Sequence, residues 1–206
     1  RPDLVGQLRL RLPEELMESV FPRVLAEFTR DYPRVELSVR CDLSVRITAL
    51  AEAGELDLAI AKGMPGESVA EGSNGWRLLN RDPMAWLAGE GSNAMDRRPL
   101  PLAVFHEGCV FRMAAITALA ARGISWRAAF VGSSYTALRH AVAAGLAVTP
   151  LPRSLIAPGL VEVRASLPEL PASELIVRFG PGEVLPSARR LLDLFEAYLR
   201  GDAECP

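Results

Sequence analysis

The order of apolar and polar residues predicts alternating strands and helices in the first sixty positions. Residues 6–12 (GQLRLRL) and 35–41 (VELSVRC) alternate with period two, as half-buried strands do. Residues 14–32 place apolar side chains four apart, which predicts an amphipathic helix. Pro22 lies inside that stretch, so the helix either kinks there or begins near Ser19.

The next segment completes a β-α-β-α-β series. Residues 44–53 have a helical pattern, with Ser44 as the expected N-cap and Gly54 as the left-handed C-cap. Residues 56–61 (LDLAIA) predict a strand. This succession predicts a parallel sheet with right-handed crossovers.

A second β-α series follows a looser stretch at 76–89, which predicts two short strands and a turn. Further strands are predicted at 100–105, 126–131, 146–152, 160–163 and 174–179. Helices are predicted at 112–123, 134–145 and 186–201. Each half therefore predicts a small α/β sheet, and ligands in such folds favour the carboxyl ends of the strands.

Composition narrows the function classes. The 206 residues are 50% hydrophobic and 23% charged with a net charge of −2, which is ordinary for a globular protein and provides no basic face for nucleic acid. No stretch approaches the ~18 consecutive apolar residues of a membrane helix. The G-x-S-x-G, phosphate-loop and H-E-x-x-H motifs are absent, which argues against an enzyme.

Three stretches in order resemble the effector-binding domain of LysR-type transcriptional regulators: 6–39, 50–60 (LAEAGELDLAI) and 141–152 (AVAAGLAVTPLP). The resemblance implies an α/β fold of two subdomains around a cleft, like type 2 periplasmic binding proteins. Regulatory subdomain I would comprise 6–81 and 176–206, and subdomain II would comprise 82–175. The family's N-terminal winged helix-turn-helix would precede this chain, which is expected to be a fragment.

The resemblance also implies partners. We expect a small polar effector in the cleft, a cytoplasmic homodimer or tetramer, DNA contact only through the missing N-terminal domain, and no cofactor, metal or membrane. Helix 15–31 and strand 35–41 would pack against the partner's subdomain II. A periplasmic solute-binding protein of the same fold is the alternative, although three unpaired cysteines are awkward there. An enzyme on a similar scaffold is the third interpretation.

By this resemblance the effector-binding residues lie in loops at strand carboxyl ends. In subdomain I they are Leu12, Pro13, Glu14, Ser44, Ala61 and Lys62. In subdomain II they are His106, Glu107, Cys109, Arg112, Ser133, Ser134 and Thr149. The serines either offer a hydroxyl to the effector or only cap helices.

The charged candidates point to the effector's chemistry. Family members often present Ser or Thr where this chain has Glu14 and Glu15, and a carboxylate there would repel an anionic ligand. Arg112 either binds a carboxylate or lies in solvent, and Glu14 with Arg112 would suit a zwitterion such as an amino acid. Lys62 is the single lysine of the chain. Either codon bias explains this, or a lysine at this position has a role that arginine does not fill.

The cysteines leave further alternatives open. Cys109 near a helix start is either a reactive thiol of lowered pKa or a small buried side chain. A redox pair with Cys41, and a metal site that adds His106, are weaker hypotheses. His140 is expected in mid-helix, in packing or on the surface.

Overall fold

The computed structural model describes residues 4–63, 75–163 and 166–200, which form two compact units. Unit 1 contains the described residues up to 62, those of 75–80, and those from 175 onward. Unit 2 contains residue 63 and the described residues of 81–174. Each unit has its own hydrophobic core.

Unit 1 is built from the first β-α-β-α-β series and the closing helix. Its elements are β1 (Gly6–Leu12), a 3-10 turn (Glu14–Leu16), α1 (Phe21–Asp31), β2 (Val35–Cys41), α2 (Ser44–Glu52), β3 (Leu58–Gly63) and α5 (Pro186–Arg200). β1 pairs in parallel with β2 along its whole length and with β3 on its other side. The predicted parallel sheet is therefore confirmed, with β2 at its edge.

Unit 2 is built from the second series. Its elements are β5 (Leu100–Phe105), α3 (Val110–Ala121), β6 (Trp126–Gly132), α4 (Tyr135–Ala143), β7 (Thr149–Pro152) and β8 (Leu160–Val163). β5 and β6 are parallel. Two longer strands, β4 (Arg77–Gly89) and β9 (Ala172–Phe179), each have residues in both units. β4 pairs antiparallel with β7 and with β8.

Two of the predicted elements need correction. Residues 77–89 form one strand and not two short ones, because β4 begins in unit 1 and continues into unit 2. The helix expected over 14–32 is a 3-10 turn followed by α1, which begins at Phe21. Pro22 lies in the first turn of α1, where its missing N–H costs no hydrogen bond, so the later start and not the kink is observed.

The core of unit 1 holds α1 and α5 on the sheet. Phe28 and Phe195 are fully buried, and the rings of Phe21 and Phe195 stack with centroids 5.9 Å apart. Each such buried side chain contributes roughly 1.5–3 kcal/mol to stability. Tyr198 on α5 donates a hydrogen bond to Glu27 of α1 at 3.0 Å. The apolar side chains that the pattern of 14–32 places four apart are all buried: Leu16, Val20, Val24 and Phe28.

Glycine turns from helix to strand are confirmed in both units. Gly54 and Gly145 have φ of 73° and 75°, in the left-handed region that suits glycine after a helix. A side-chain atom at Gly54 would also approach Pro181 to 3.2 Å.

Among the helices of the described residues, none combines the length and the apolar character that a membrane crossing demands.

Asp57, just before β3, accepts three hydrogen bonds from Arg9 of β1. Its Oδ2 accepts from the Arg9 backbone N–H at 2.7 Å and from Arg9 Nε at 3.1 Å, while Oδ1 accepts from Nη2 at 2.9 Å. The hydrogen bond from the Arg9 side chain is the main cause that lowers the pKa of Asp57.

We predict that Asp57→Asn destabilises the chain at pH 7 and that the difference from wild type shrinks in acid. A lowered pKa stabilises the fold above the unfolded value of about 3.9, and this stabilisation disappears as the pH falls through the folded pKa. Urea midpoints measured between pH 7 and acid check this. Asp193→Asn, at an exposed position of α5, should stay within about 0.5 kcal/mol of wild type at pH 7. Equal effects of the two variants would contradict the prediction.

Candidate functional site

The carboxyl ends of three parallel strands bring polar groups together in unit 1. β1, β2 and β3 end at Leu12, Cys41 and Gly63, on the same edge of the sheet. We call the polar residues at this edge the strand-end cluster: Arg11, Glu14, Glu15, Asp42, Ser44 and Lys62. Leu12, Pro13 and Ala61 lie beside it with buried side chains.

The backbone of β3 is bound by the hydroxyl of Ser44. The Lys62 N–H donates to Ser44 Oγ at 2.7 Å. Ser44 is the first residue of α2, after an N-cap at Leu43 that makes no side-chain cap bond. The prediction that Ser44 caps its own helix is therefore wrong, because its oxygen accepts from a strand eighteen residues away.

A buried ion pair joins the 3-10 turn to β3. Lys62 Nζ lies 3.5 Å from Glu15 Oε1, and the two side chains are 7% and 10% exposed. This Oε1 accepts no hydrogen bond in the structure, so the pair is held by charge. A buried pair of this kind adds little net stability, but loss of one partner leaves an uncompensated charge.

Ala61 and Lys62 were expected in a loop at the end of a strand. They lie inside β3 instead. β3 runs on to Gly63, with Ala61 fully buried and Lys62 8% exposed. The strand begins and ends two residues later than the predicted 56–61, since Lys62 is held in it by the Ser44 hydroxyl and meets Glu15 in the interior. Of the two candidate acids, Glu15 is buried and Glu14 is partly exposed.

Partial burial and acidic neighbours both raise the pKa of the Cys41 thiol. Cys41 is exposed at the end of β2. Partial burial of the thiol is the main cause that raises its pKa, and the charges of Glu14, Glu15 and Asp42 raise it further. Asp42 in turn lies 3.5 Å from Arg11 and 3.5 Å from Arg46.

Four candidates of unit 2 lie between the end of β5 and the first turn of α3: His106, Glu107, Cys109 and Arg112. Arg112 is one turn into this helix, and its Nη1 donates to the Phe105 carbonyl at 3.1 Å while Nη2 lies 3.9 Å from Glu107. The Arg112 side chain is 16% exposed, so of the two alternatives given for it the solvated arginine is wrong. The guanidinium folds back on the end of β5, where it donates to the Phe105 carbonyl.

The thiol and the imidazole of this loop differ in exposure. Cys109 is the N-cap residue of α3 and is buried, whereas His106 is exposed. Neither Cys41 nor Cys109 is in a disulfide, and the two belong to different units. Within the described ranges, no group of three His, Cys, Asp or Glu side chains is placed to hold a metal ion.

The remaining candidates of unit 2 are spread out. Ser134 caps α4, since its Oγ accepts from the Ala137 N–H at 3.4 Å, and this confirms the capping interpretation. Ser133 is exposed beside it, and His140 is exposed on the helix. Thr149 was expected in a strand-end loop, but it opens β7 and is fully buried, with no hydrogen bond to its Oγ1. That expectation is wrong because the strand begins three residues later than its apolar pattern.

Unit 2 contains a cavity that no sequence pattern predicted. A cavity of about 440 Å³ lies against β4 and β8, and the Trp86 indole N–H donates to Pro168 O at 2.8 Å beside it. Arg153 and Glu162 form an ion pair at 2.7 Å in its lining. The lining residues are distant in the chain, so only the fold assembles them.

Comparisons with known proteins agree on one family. Residues 2–200 match the model of the family described as "LysR substrate binding domain". The HTH-type transcriptional regulator PecT of Dickeya dadantii is 26% identical over 171 residues, which are 82% of this chain and 52% of PecT. The HTH-type transcriptional regulator DgdR of Burkholderia cepacia is 25% identical over 178 residues, 85% of this chain and 58% of DgdR. The chain spans about half the length of these relatives.

Solved structures show the same fold. The cofactor-binding domain of the Cbl transcriptional regulator superposes with a TM-score of 0.71 at 19% identity, covering 93% of this chain and 88% of that one. The effector-binding domain of QuiR in complex with shikimate gives a TM-score of 0.69 at 14% identity, covering 96% and 99%. At these identities the likeness is one of fold.

We predict that Ser44→Ala lowers the free energy of unfolding by roughly 1–3 kcal/mol, because the Lys62 N–H loses its acceptor in a partly buried place. Urea unfolding measures the change. Ser133→Ala is the matched control at an exposed position of unit 2, with an expected change within about 0.5 kcal/mol. A loss for Ser44→Ala no larger than that of the control would show that the bond does not hold β3.

Proposed function

The chain belongs to the LysR substrate binding domain family, and on that premise we propose that it is the effector-sensing domain of a LysR-type transcription regulator. Its fold is the α/β fold of type 2 periplasmic binding proteins. The observation that carries the proposal is the family match over residues 2–200. PecT and DgdR are named transcriptional regulators, which favours this role over that of a solute-transport receptor or an enzyme.

Units 1 and 2 correspond in this proposal to regulatory subdomains I (6–81 and 176–206) and II (82–175). The division of the described residues into two compact units, each with a core of its own, supports the assignment. DNA contact belongs to a separate N-terminal domain, and the full protein acts in the cytoplasm as a homodimer or tetramer. The position of β2 at the sheet edge is consistent with its use in subunit contact.

The effector in this proposal is a small polar molecule. Parallel strand ends are the favoured ligand position in α/β folds, and in unit 1 they carry Glu15, Ser44 and Lys62. In unit 2 they carry Arg112, whose guanidinium is largely buried, and the exposed Ser133. QuiR is described in complex with shikimate, itself a small polar molecule, which supports this class of effector here.

Regulation in this scheme is a shift of population. An effector changes the presentation of the DNA-binding domains only if it binds one conformation more tightly than another. The coupling between such sites is typically about 1–3 kcal/mol. The effector therefore needs only a few differential contacts with the strand-end groups.

The test is native mass spectrometry of the chain after incubation with a protein-free small-molecule extract of the source cells. We predict one retained molecule, bound about ten- to hundredfold more weakly by Arg112→Ala, because a hydrogen bond to a charged group contributes about 1.5–3 kcal/mol. Arg122→Ala, exposed at the end of α3, is the matched control and should bind as wild type does. Retention unchanged in Arg112→Ala would remove Arg112 from the site, and no retained molecule would contradict the sensing role.

A further inference from the structure

The cavity of about 440 Å³ in unit 2 lies where the pairing of β4 is interrupted. β8 leaves β4 after Val163, which lies opposite Trp86. The chain returns to β4 where the Ser173 hydroxyl donates to the Asp82 carbonyl at 3.3 Å. Between these two points the lining comes from β4 itself: Pro83, Met84 and Ala85. The volume is within the range of about 300–1,000 Å³ that is usual for ligand sites.

One side of this cavity is apolar. The buried side chains of Met84, Trp86 and Val163 line it, and Leu167 joins them while packing against the core of unit 2. The Trp86 indole N–H donates to the Pro168 carbonyl at 2.8 Å, which holds the segment before β9 beside β4. Ligand sites typically combine apolar walls of this kind with a few placed polar groups.

The other side of the cavity carries both signs of charge. Arg153 Nη2 donates to Glu162 Oε1 at 2.7 Å, and the Arg153 side chain is 49% exposed. A guanidinium has five N–H donors in a planar fork that fits a carboxylate, so this one bond leaves further donors for a ligand. Glu169 also lines the cavity and is exposed, and among the described residues it has no ion-pair partner. The lining therefore offers donors to a carboxylate and an acceptor to an ammonium group.

The cavity is separate from the strand-end candidates. Its described lining residues all belong to unit 2, and none of them is a candidate at a strand end. Trp86 is paired with Pro150 of β7 on one edge of β4 and with Val163 of β8 on the other. β7 is in turn bridged to β5, so the strands that lead to Arg112 and Ser133 lie beyond β7. A ligand in the cavity would therefore use different residues from an effector at the strand ends.

We propose that this cavity binds a small zwitterion with an apolar side chain, of the size of an α-amino acid. Its carboxylate binds Arg153, its ammonium group binds Glu169, and its side chain packs against Met84, Trp86 and Leu167. A molecule with a single charge satisfies only one of the two polar partners, and one without a side chain leaves the apolar wall in water. The inference goes beyond the proposed function, since it adds a ligand site that the strand-end residues do not form.

The experiment is a ¹⁵N NMR titration of the chain with L-phenylalanine and with three probes that each lack one of its features. Phenylalaninamide lacks the carboxylate, 3-phenylpropionate lacks the ammonium group, and glycine lacks the apolar side chain. Phenylalanine should shift the Trp86 indole N–H and the backbone amides of Val163 and Leu167. Each of the other probes should bind there about fivefold more weakly or worse, because it loses a partly exposed ion pair or the apolar contact.

Two variants test the assigned contacts. Arg153→Gln should remove the advantage of phenylalanine over phenylalaninamide, and Glu169→Gln should remove its advantage over 3-phenylpropionate. Arg127→Gln and Glu90→Gln, at exposed positions of unit 2, are the matched controls that should change neither. Arg153→Gln leaves the Glu162 carboxylate without its arginine, which can destabilise unit 2. The double variant Arg153→Gln with Glu162→Gln removes both charges and keeps the comparison available.

Four outcomes would each overturn the proposal. They are equal affinities of the four probes, no shift of the Trp86 indole N–H by phenylalanine, shifts confined to residues 106–112 and 133, and a phenylalanine affinity unchanged in the folded variants. These outcomes concern the cavity alone, because the sensing role is tested by the molecule retained from the extract and by Arg112→Ala.

Discussion

The parallel pairing of β1 with β2 and β3 is the constraint on which the site of unit 1 depends. β1 and β2 run in register from Gly6 opposite Val35 to Leu12 opposite Cys41. Because the register is fixed, the strands end together, and the residues after them meet at one edge. Without this alignment, Glu15, Ser44 and Lys62 would be remote positions of the chain. The polar chemistry of the site is thus a product of sheet geometry.

Lys62 is the residue through which this edge is organised. Its N–H is held by Ser44 at 2.7 Å, and its ammonium lies 3.5 Å from Glu15. Lysine suits the position because a compact ammonium on a flexible stem can neutralise a single carboxylate oxygen from within a strand. The chain otherwise uses arginine for its basic residues.

Much of the fold was predictable because period-two alternation marks strands with one buried face. The bounds of β1 and β2 and the left-handed Gly54 follow from local pattern alone. The errors arise where tertiary partners decide. Ser44 resembles a cap until the Lys62 N–H is brought to it, and a solvated Arg112 stays an open alternative until the Phe105 carbonyl is placed beside it. Sequence spacing contains no information on such pairs.

We propose that this domain couples the binding of a small molecule to the DNA binding of the full-length protein. Its most direct test is the affinity of the full-length protein for its own operator, measured with and without the molecule that the chain retains. A coupling of about 1–3 kcal/mol predicts a change of roughly 5- to 150-fold in the dissociation constant. An operator affinity that stays the same when the molecule is bound, or a full-length protein with no specific DNA binding, would contradict this coupling.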